Sequence, residues 1–211
     1  MLKLIGKIIK MMITLGIIIV IFVGGFFAIR TYKSVKTVNS YRSDVQQVAD
    51  EAGVGKYTDV ILGIMYTESK GKGTDLMQSS ESVYGSRGQI DSQKESIESG
   101  VEHFVQSYRL ANEAGCDLAT AIQAYNFGTK YIDFVKKNGG KNSVELAEEY
   151  SRDVLSPGLG NDQQTTYRYM KVQSVLYNGG YLYRDGGNMF YAEIVQGNKQ
   201  LINWYERFQK S

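Results

Sequence analysis

The 211-residue sequence holds one cysteine, one histidine, one proline and one tryptophan. With Cys116 alone, an intrachain disulfide is excluded, and with His103 alone, a Cys/His zinc site lacks ligands. No metal and no cofactor is expected. Serine-hydrolase chemistry would have to use His103, which sits in a helical stretch with Ile97, Val101, Phe104, Val105 and Tyr108, where a helix-face or partly buried role fits better. No local motif supports a Cys116–His103 catalytic pair. An exported protein without disulfides fits a Gram-positive envelope. A basic surplus is also missing. Of the 24 basic residues, Lys3, Lys7, Lys10 and Arg30 lie in the first thirty positions, and all 22 acidic residues lie beyond them, leaving the rest at about −2. The chain after residue 30 therefore has no nucleic-acid footprint. Lys136, Lys137 and Lys141 read as a solvated helix end.

Charge is absent altogether from Met11 to Ile29, a run rich in Ile, Val, Phe and Gly. Lys3, Lys7 and Lys10 precede it; Arg30, Lys33 and Lys36 follow. Nineteen uncharged residues suffice to cross the hydrocarbon layer as a helix. No small-residue cleavage site or lipid-anchor Cys follows, so an uncleaved signal anchor is expected. Basic residues flank both sides in similar number and barely decide orientation. The expectation is a cytoplasmic tail over 1–10, a membrane span over 11–30, a polar stalk over 31–40, and an extracellular domain over 41–211.

Beyond the stalk the periodicity is helical. Val45, Val48, Ala49 and Ala52 mark one helix, and Lys56 to Ser69 a second. Ser92 to Ala114 is a long amphipathic helix. Asp117 is placed to cap Leu118 to Asn126, a small, apolar helix that should be buried. Further helices are expected over Thr129–Asn138, Ser143–Leu155, Asp162–Tyr177 and 188–209, the last interrupted near Gly197. Ser156 to Gly160 reads as a loop, and Tyr181 to Gly187 as a brief strand or turn. Such a chain makes one mostly helical domain.

The stretch from Met65 to Ser82 carries the chemistry. Glu68 continues the apolar stripe of Ile64 and Met65, where burial raises a carboxyl pKa toward that of a general acid. After Gly71 and Gly73 comes Asp75, in a polar loop that should keep it ionised. The loop from Ser69 to Asp91 is long for a compact domain, as functional loops often are. Two carboxyls in unlike environments can split a glycosidic bond. Met77 reads as core, and Glu81 as a second acid ranked below Asp75. Tyr125 and Asn126 either face a ligand or cap and pack a buried helix.

Thr67-Glu-Ser69, Leu76-Met-Gln78, Ala124-Tyr-Asn-Phe-Gly128 and Thr165-Thr-Tyr-Arg-Tyr169 occur in an order that resembles the goose-type lysozyme and soluble lytic transglycosylase superfamily. The block from Glu68 to Ser82 is similar to the lysozyme-like domain of CwlT-type cell-wall hydrolases and pneumococcal vaccine antigen A. The resemblance implies a lysozyme-like helical fold and cleavage of the β-1,4 bond between N-acetylmuramic acid and N-acetylglucosamine in peptidoglycan. It assigns Glu68 as catalytic acid, Asp75 as second carboxylate, and Gln78, Ser79, Ser80, Tyr125, Asn126 and Tyr169 to the glycan cleft. Asp75 stands where the superfamily has Gly, which favours a muramidase. Thr165 stands where it has Glu, so no role is borrowed from that Glu. The Cys-His peptidase domain of CwlT-type proteins is not expected. The alternatives are a lytic transglycosylase leaving 1,6-anhydro ends and a non-catalytic glycan-binding scaffold. Housekeeping wall remodelling and an envelope or conjugation complex are both compatible contexts.

Overall fold

A computed structural model describes residues 2–80, 85, 86 and 88–209. Glu81 lies outside the described residues, as does Arg87 of the expected Ser86–Gly88 turn. The described helices are α1 (Leu2–Asn39), α2 (Arg42–Glu51), α3 (Thr58–Glu68), α4 (Gln93–Glu113), α5 (Leu118–Phe127), α6 (Lys130–Lys137), α7 (Val144–Tyr150), α8 (Val172–Asn178) and α9 (Tyr191–Gln209). Two short antiparallel strands, β1 (Thr166–Arg168) and β2 (Tyr181–Tyr183), pair with Tyr167 opposite Leu182. The mostly helical expectation is borne out.

Side-chain caps mark the helix starts that polar residues foretold. Ser92 accepts from Glu95 N–H, Asp117 from Thr120 N–H and Ser143 from Leu146 N–H, each satisfying a backbone donor that the helix leaves unpaired. One apolar cluster joins the end of α1 to α2, α3, α4 and α9; another gathers Phe127, Tyr131, Tyr150, Leu182 and Phe190 around α5, α6, α7 and the strands. α5 belongs to both: Ile122 and Tyr125 face the first cluster, Ala121, Ala124 and Phe127 the second. Its small residues let it be buried nearly all round, as expected.

Four segments differ from the sequence reading. Asp162–Tyr177 is not one helix. Asn161 Oδ1 accepts from both the N–H and the hydroxyl of Thr165, Gln164 adopts φ +52°, and Thr166–Arg168 then pairs with β2. A partner strand fifteen residues downstream overrides local helical spacing. Ser156–Gly158 is a helical turn, not a loop; Pro157 stands at its first turn, where a missing N–H costs nothing. α9 runs through Gly197 without a break. The segment expected as a stalk continues α1, with Ser34, Val35 and Val38 buried against the domain.

Two glycines set the site's dimensions by close approach. A Cβ on Gly63 would stand 2.8 Å from the Val195 carbonyl oxygen, so glycine here lets α9 lie against α3. A Cβ on Gly100 would stand 2.3 Å from Met77 Cβ, so α4 receives the loop that carries Asp75. Met77 is fully buried, in line with the core reading. Gly63→Val is expected to lower stability by about 1–3 kcal/mol through overpacking, against which glycine's poor helix propensity is a smaller term. Thermal unfolding followed by circular dichroism checks this; an unchanged Tm would mean that the α3–α9 contact is not set by Gly63.

Candidate active site

Glu68 is the last residue of α3, a helix whose residues from Val60 to Tyr66 are all buried. Its Oε1 accepts a short hydrogen bond from the Tyr191 hydroxyl. Burial pushes the Glu68 carboxyl above the usual range, the Tyr191 bond pulls it back in part, and the negative charge of Asp75 adds to the rise. Tyr191 is itself 2% exposed and stacks with Tyr125 at 6.3 Å between ring centres, nearly parallel. Its position is fixed at the start of α9. There Gln123 Oε1 accepts from Ala192 N–H, Gln123 Nε2 donates to the Asn188 carbonyl, and Asn188 Oδ1 accepts from Phe190 N–H.

Asp75 sits in the opposite environment. Oδ1 accepts from Ser79 N–H (3.1 Å) and Ser96 Oγ (2.8 Å); Oδ2 accepts from Ser80 N–H (3.2 Å) and Ser80 Oγ (2.6 Å). Partial burial alone would raise this carboxyl, but those four bonds outweigh it and hold the group below its ordinary value. The loop around Asp75 is anchored independently, since Ser96 Oγ accepts from Met77 N–H and Tyr125 donates to the Met77 carbonyl. Gln78, between these ties, takes φ +50° and leaves its side chain exposed. For a non-glycine residue such a conformation costs about 1–3 kcal/mol and persists only where the surroundings enforce it.

Glu68, Asp75, Gln78, Ser80, Tyr125 and Asn126 line one cleft of about 810 Å³. A second cleft of about 400 Å³ meets it at Glu68 and Asn126, and Tyr169 stands there beside Asn188 and Lys171. Glu68 is thus at the junction of a groove that continues to both sides. Asn126 Oδ1 accepts from Asn188 N–H, and the Tyr169 hydroxyl accepts from Asn188 Nδ2. Ser79 is not on the cleft wall: it is buried, with its hydroxyl 2.7 Å from that of Ser99. Ser80 is also buried, donating to Asp75 and accepting from Ile90 N–H.

Sequence reasoning missed Tyr191, Ser96, Gln123 and Asn188. Each acts by spatial adjacency across sixty or more residues, save Ser96, which lies 21 residues from Asp75. The helical spacing of Ser96 and Gly100, facing the loop together, was the available signal. His103 lines the cleft, and burial lowers its pKa, offset in part by the hydrogen bond that Nε2–H donates to the Tyr125 carbonyl at 3.1 Å. Cys116 packs instead by the Ile132 carbonyl in the other cluster, so the two do not form a pair. No group of three or more His, Cys, Asp or Glu side chains suited to a metal occurs among the described residues.

A family model described as lysozyme-like matches residues 35–199. The chain belongs to the lysozyme-like family. It is 39% identical over 187 residues to pneumococcal vaccine antigen A of Streptococcus pneumoniae, covering 89% of this chain and 91% of that one. It is 37% identical over 129 residues to the bifunctional muramidase/DL-endopeptidase CwlT of Bacillus subtilis, covering 61% of this chain but 38% of CwlT. A crystal structure of a Staphylococcus aureus protein similar to lipoproteins of the NLP/P60 family superposes with a TM-score of 0.71 at 33% identity. The match covers 77% of this chain and about half, 52%, of that one. The lysozyme-like resemblance read from the motifs is borne out, and its matched region begins within α1, at the residues that α1 packs onto the domain.

Proposed function

We propose that this chain is a membrane-anchored N-acetylmuramidase that cleaves the β-1,4 bond between N-acetylmuramic acid and N-acetylglucosamine of peptidoglycan strands. One observation carries the reading: two carboxyls of opposite character line one open groove, Glu68 held toward its protonated form by burial and Asp75 held ionised by four hydrogen bonds. A protonated carboxyl donates to the leaving glycosidic oxygen, and a fixed carboxylate stabilises positive charge growing on the sugar. Because its lone pairs are engaged and its basicity lowered, Asp75 is a weak base. Charge stabilisation suits it better than proton removal from water. Gln78 and Asn126 offer amides to sugar hydroxyls and acetamido groups, and Tyr169 offers a ring face and a hydroxyl. Ser79 and Ser80 contribute by holding Asp75.

The same weak basicity supports a second reading. If no water is activated, the substrate's own 6-hydroxyl attacks and leaves a 1,6-anhydro end, as in a lytic transglycosylase. Mass spectrometry of fragments released from purified peptidoglycan by the full-length chain separates the outcomes. Reducing N-acetylmuramic acid ends support the muramidase; anhydro ends replace it with the transglycosylase; binding without release leaves a glycan scaffold. α1 contains a helical stretch, Lys10–Asn39, long and apolar enough to cross a membrane, with mean hydropathy 2.7 over its most apolar 18 residues. The reading places the domain on the wall side, where its substrate is.

Tyr191→Phe is expected to move the alkaline limb of the pH–rate profile upward. Removing the hydroxyl that stabilises ionised Glu68 raises the pH at which the acid loses its proton. A limb that stays in place would show that Tyr191 does not tune the acid.

A further inference from the structure

α1 is not a loose tether. Its apolar span ends at Arg30, and from Ser34 onward one face of it, Ser34, Val35 and Val38, is already buried against the domain. Tyr32 lies two residues, about 3 Å of helix rise, beyond Arg30. Its ring packs edge-on against Tyr205 of α9 at 5.6 Å between centres. That contact brings the end of α9 to the level at which a spanning α1 leaves the hydrocarbon. Beside Tyr205, Trp204 and Phe208 are 59% and 62% exposed and pack on each other at 4.4 Å. Leu201, at 40%, extends the same stripe by one turn.

A different face of α1 carries Phe26, Ile29, Arg30 and Lys33, which form a shallow cleft with Lys72 from the loop after α3. Arg30 and Lys72 also stand near Lys70, whose ammonium is pushed down by burial and then by Lys171, Arg30 and Lys72. None of these five cations has a carboxylate within ion-pair distance among the described residues. An apolar aromatic stripe on one side of the helix and unneutralised cations on the other, both at its membrane exit, match the chemistry of a bilayer interface. Tryptophan prefers the headgroup level, and Lys and Arg prefer anionic phosphates.

We propose that this membrane-exit face docks on the anionic surface of the leaflet from which α1 emerges, with Trp204 and Phe208 in the headgroup–acyl boundary and Arg30, Lys33 and Lys72 on lipid phosphates. The inference rests on α1 crossing the membrane and not on glycan cleavage. Docking fixes the height and tilt of the groove, so that glycan strands close to the membrane are the ones it meets.

Trp204 is the only tryptophan in the chain, so its fluorescence reports this face alone. The test places full-length protein, one copy per nanodisc, in phosphatidylglycerol–phosphatidylcholine bilayers. Single occupancy removes self-association as a cause of burial. The expected result is blue-shifted emission, quenched at least about twofold more by lipids brominated near the glycerol end of the acyl chain than by lipids brominated at its tip. Replacing Arg30, Lys33 and Lys72 together by Gln is expected to reduce that quenching. Trp204 that is open to acrylamide and untouched by brominated lipid, in discs that carry the chain, would overturn the docking. Quenching unchanged in the triple variant would overturn the phosphate contacts. Failure of the chain to co-purify with discs would overturn the anchor and the docking with it, while leaving the glycosidase reading intact, since no glycan is present.

Discussion

Glu68→Gln is expected to lower glycan release by a factor of about 10²–10⁴ while leaving the fold in place. That range is what a positioned general acid contributes. Gln keeps the length and one acceptor for the Tyr191 hydroxyl, and loses only the transferable proton. Stability separates this account from a merely structural one. The Glu68 pKa is raised in the folded protein by burial, so the native state favours the protonated form. The resulting stabilisation is full below the unfolded value, about 4.3, and is lost as pH rises through the folded value. At neutral pH a half-buried carboxylate is therefore a burden, and Glu68→Gln should melt no lower than the parent, with any advantage shrinking in acid. Released fragments from purified peptidoglycan and melting curves across pH check both parts. Retained cleavage would end the assignment of Glu68 as the acid.

The asymmetry between Glu68 and Asp75 was legible because each lay within a few residues of its cause: an apolar helical stripe before Glu68, polar residues around Asp75. The α4 and α5 boundaries were legible for the same reason, since Ser92 and Asp117 cap the residues that follow them. The groove's supports were not. Tyr191 reaches Glu68 across 123 residues, and Gln123 seats α9 across 69, through contacts that no local pattern encodes. The β1 strand failed to show for a related reason. Val172 and Val175 continue a helical spacing from Tyr167, yet the pairing of Thr166–Arg168 with Tyr181–Tyr183 and the burial of Leu182 decide the backbone. Gly197 misled in the other direction. A glycine in a helix costs about 1 kcal/mol relative to Ala, and α9 meets that cost through its packing on α3. The resemblance places Ser79 and Ser80 in the glycan cleft; in the fold their hydroxyls meet Ser99 and Asp75.

Asp75→Asn separates the roles of that carboxylate. If Asp75 stabilises charge on the sugar, the neutral amide lowers cleavage by about 10²–10³, the loss seen when one preorganised electrostatic contact is removed. A transglycosylase relying on Glu68 and the substrate's own hydroxyl would be affected far less. The substitution also has a structural cost that must be read separately. Both carboxylate oxygens face backbone N–H groups, of Ser79 and Ser80, so the amide NH₂ of Asn meets one donor that cannot rotate away. The Ser80 and Ser96 hydroxyls can turn to accept; the backbone cannot. One unsatisfied donor costs about 1–3 kcal/mol. The sign with pH is opposite to that of Glu68. A depressed pKa gives stability that is present above the unfolded value, about 3.9, and lost as pH falls through the folded value. The Tm gap between parent and Asp75→Asn should thus be widest near neutral pH and close in acid. Ser96→Ala supplies the control: it removes one bond to Asp75 and the acceptor for Met77 N–H but keeps the carboxylate. It should destabilise the loop while sparing most of the cleavage rate. If Asp75→Asn and Ser96→Ala lose stability alike and cleavage alike, Asp75 is a clamp for the loop that carries Gln78, and the catalytic charge belongs to Glu68 alone.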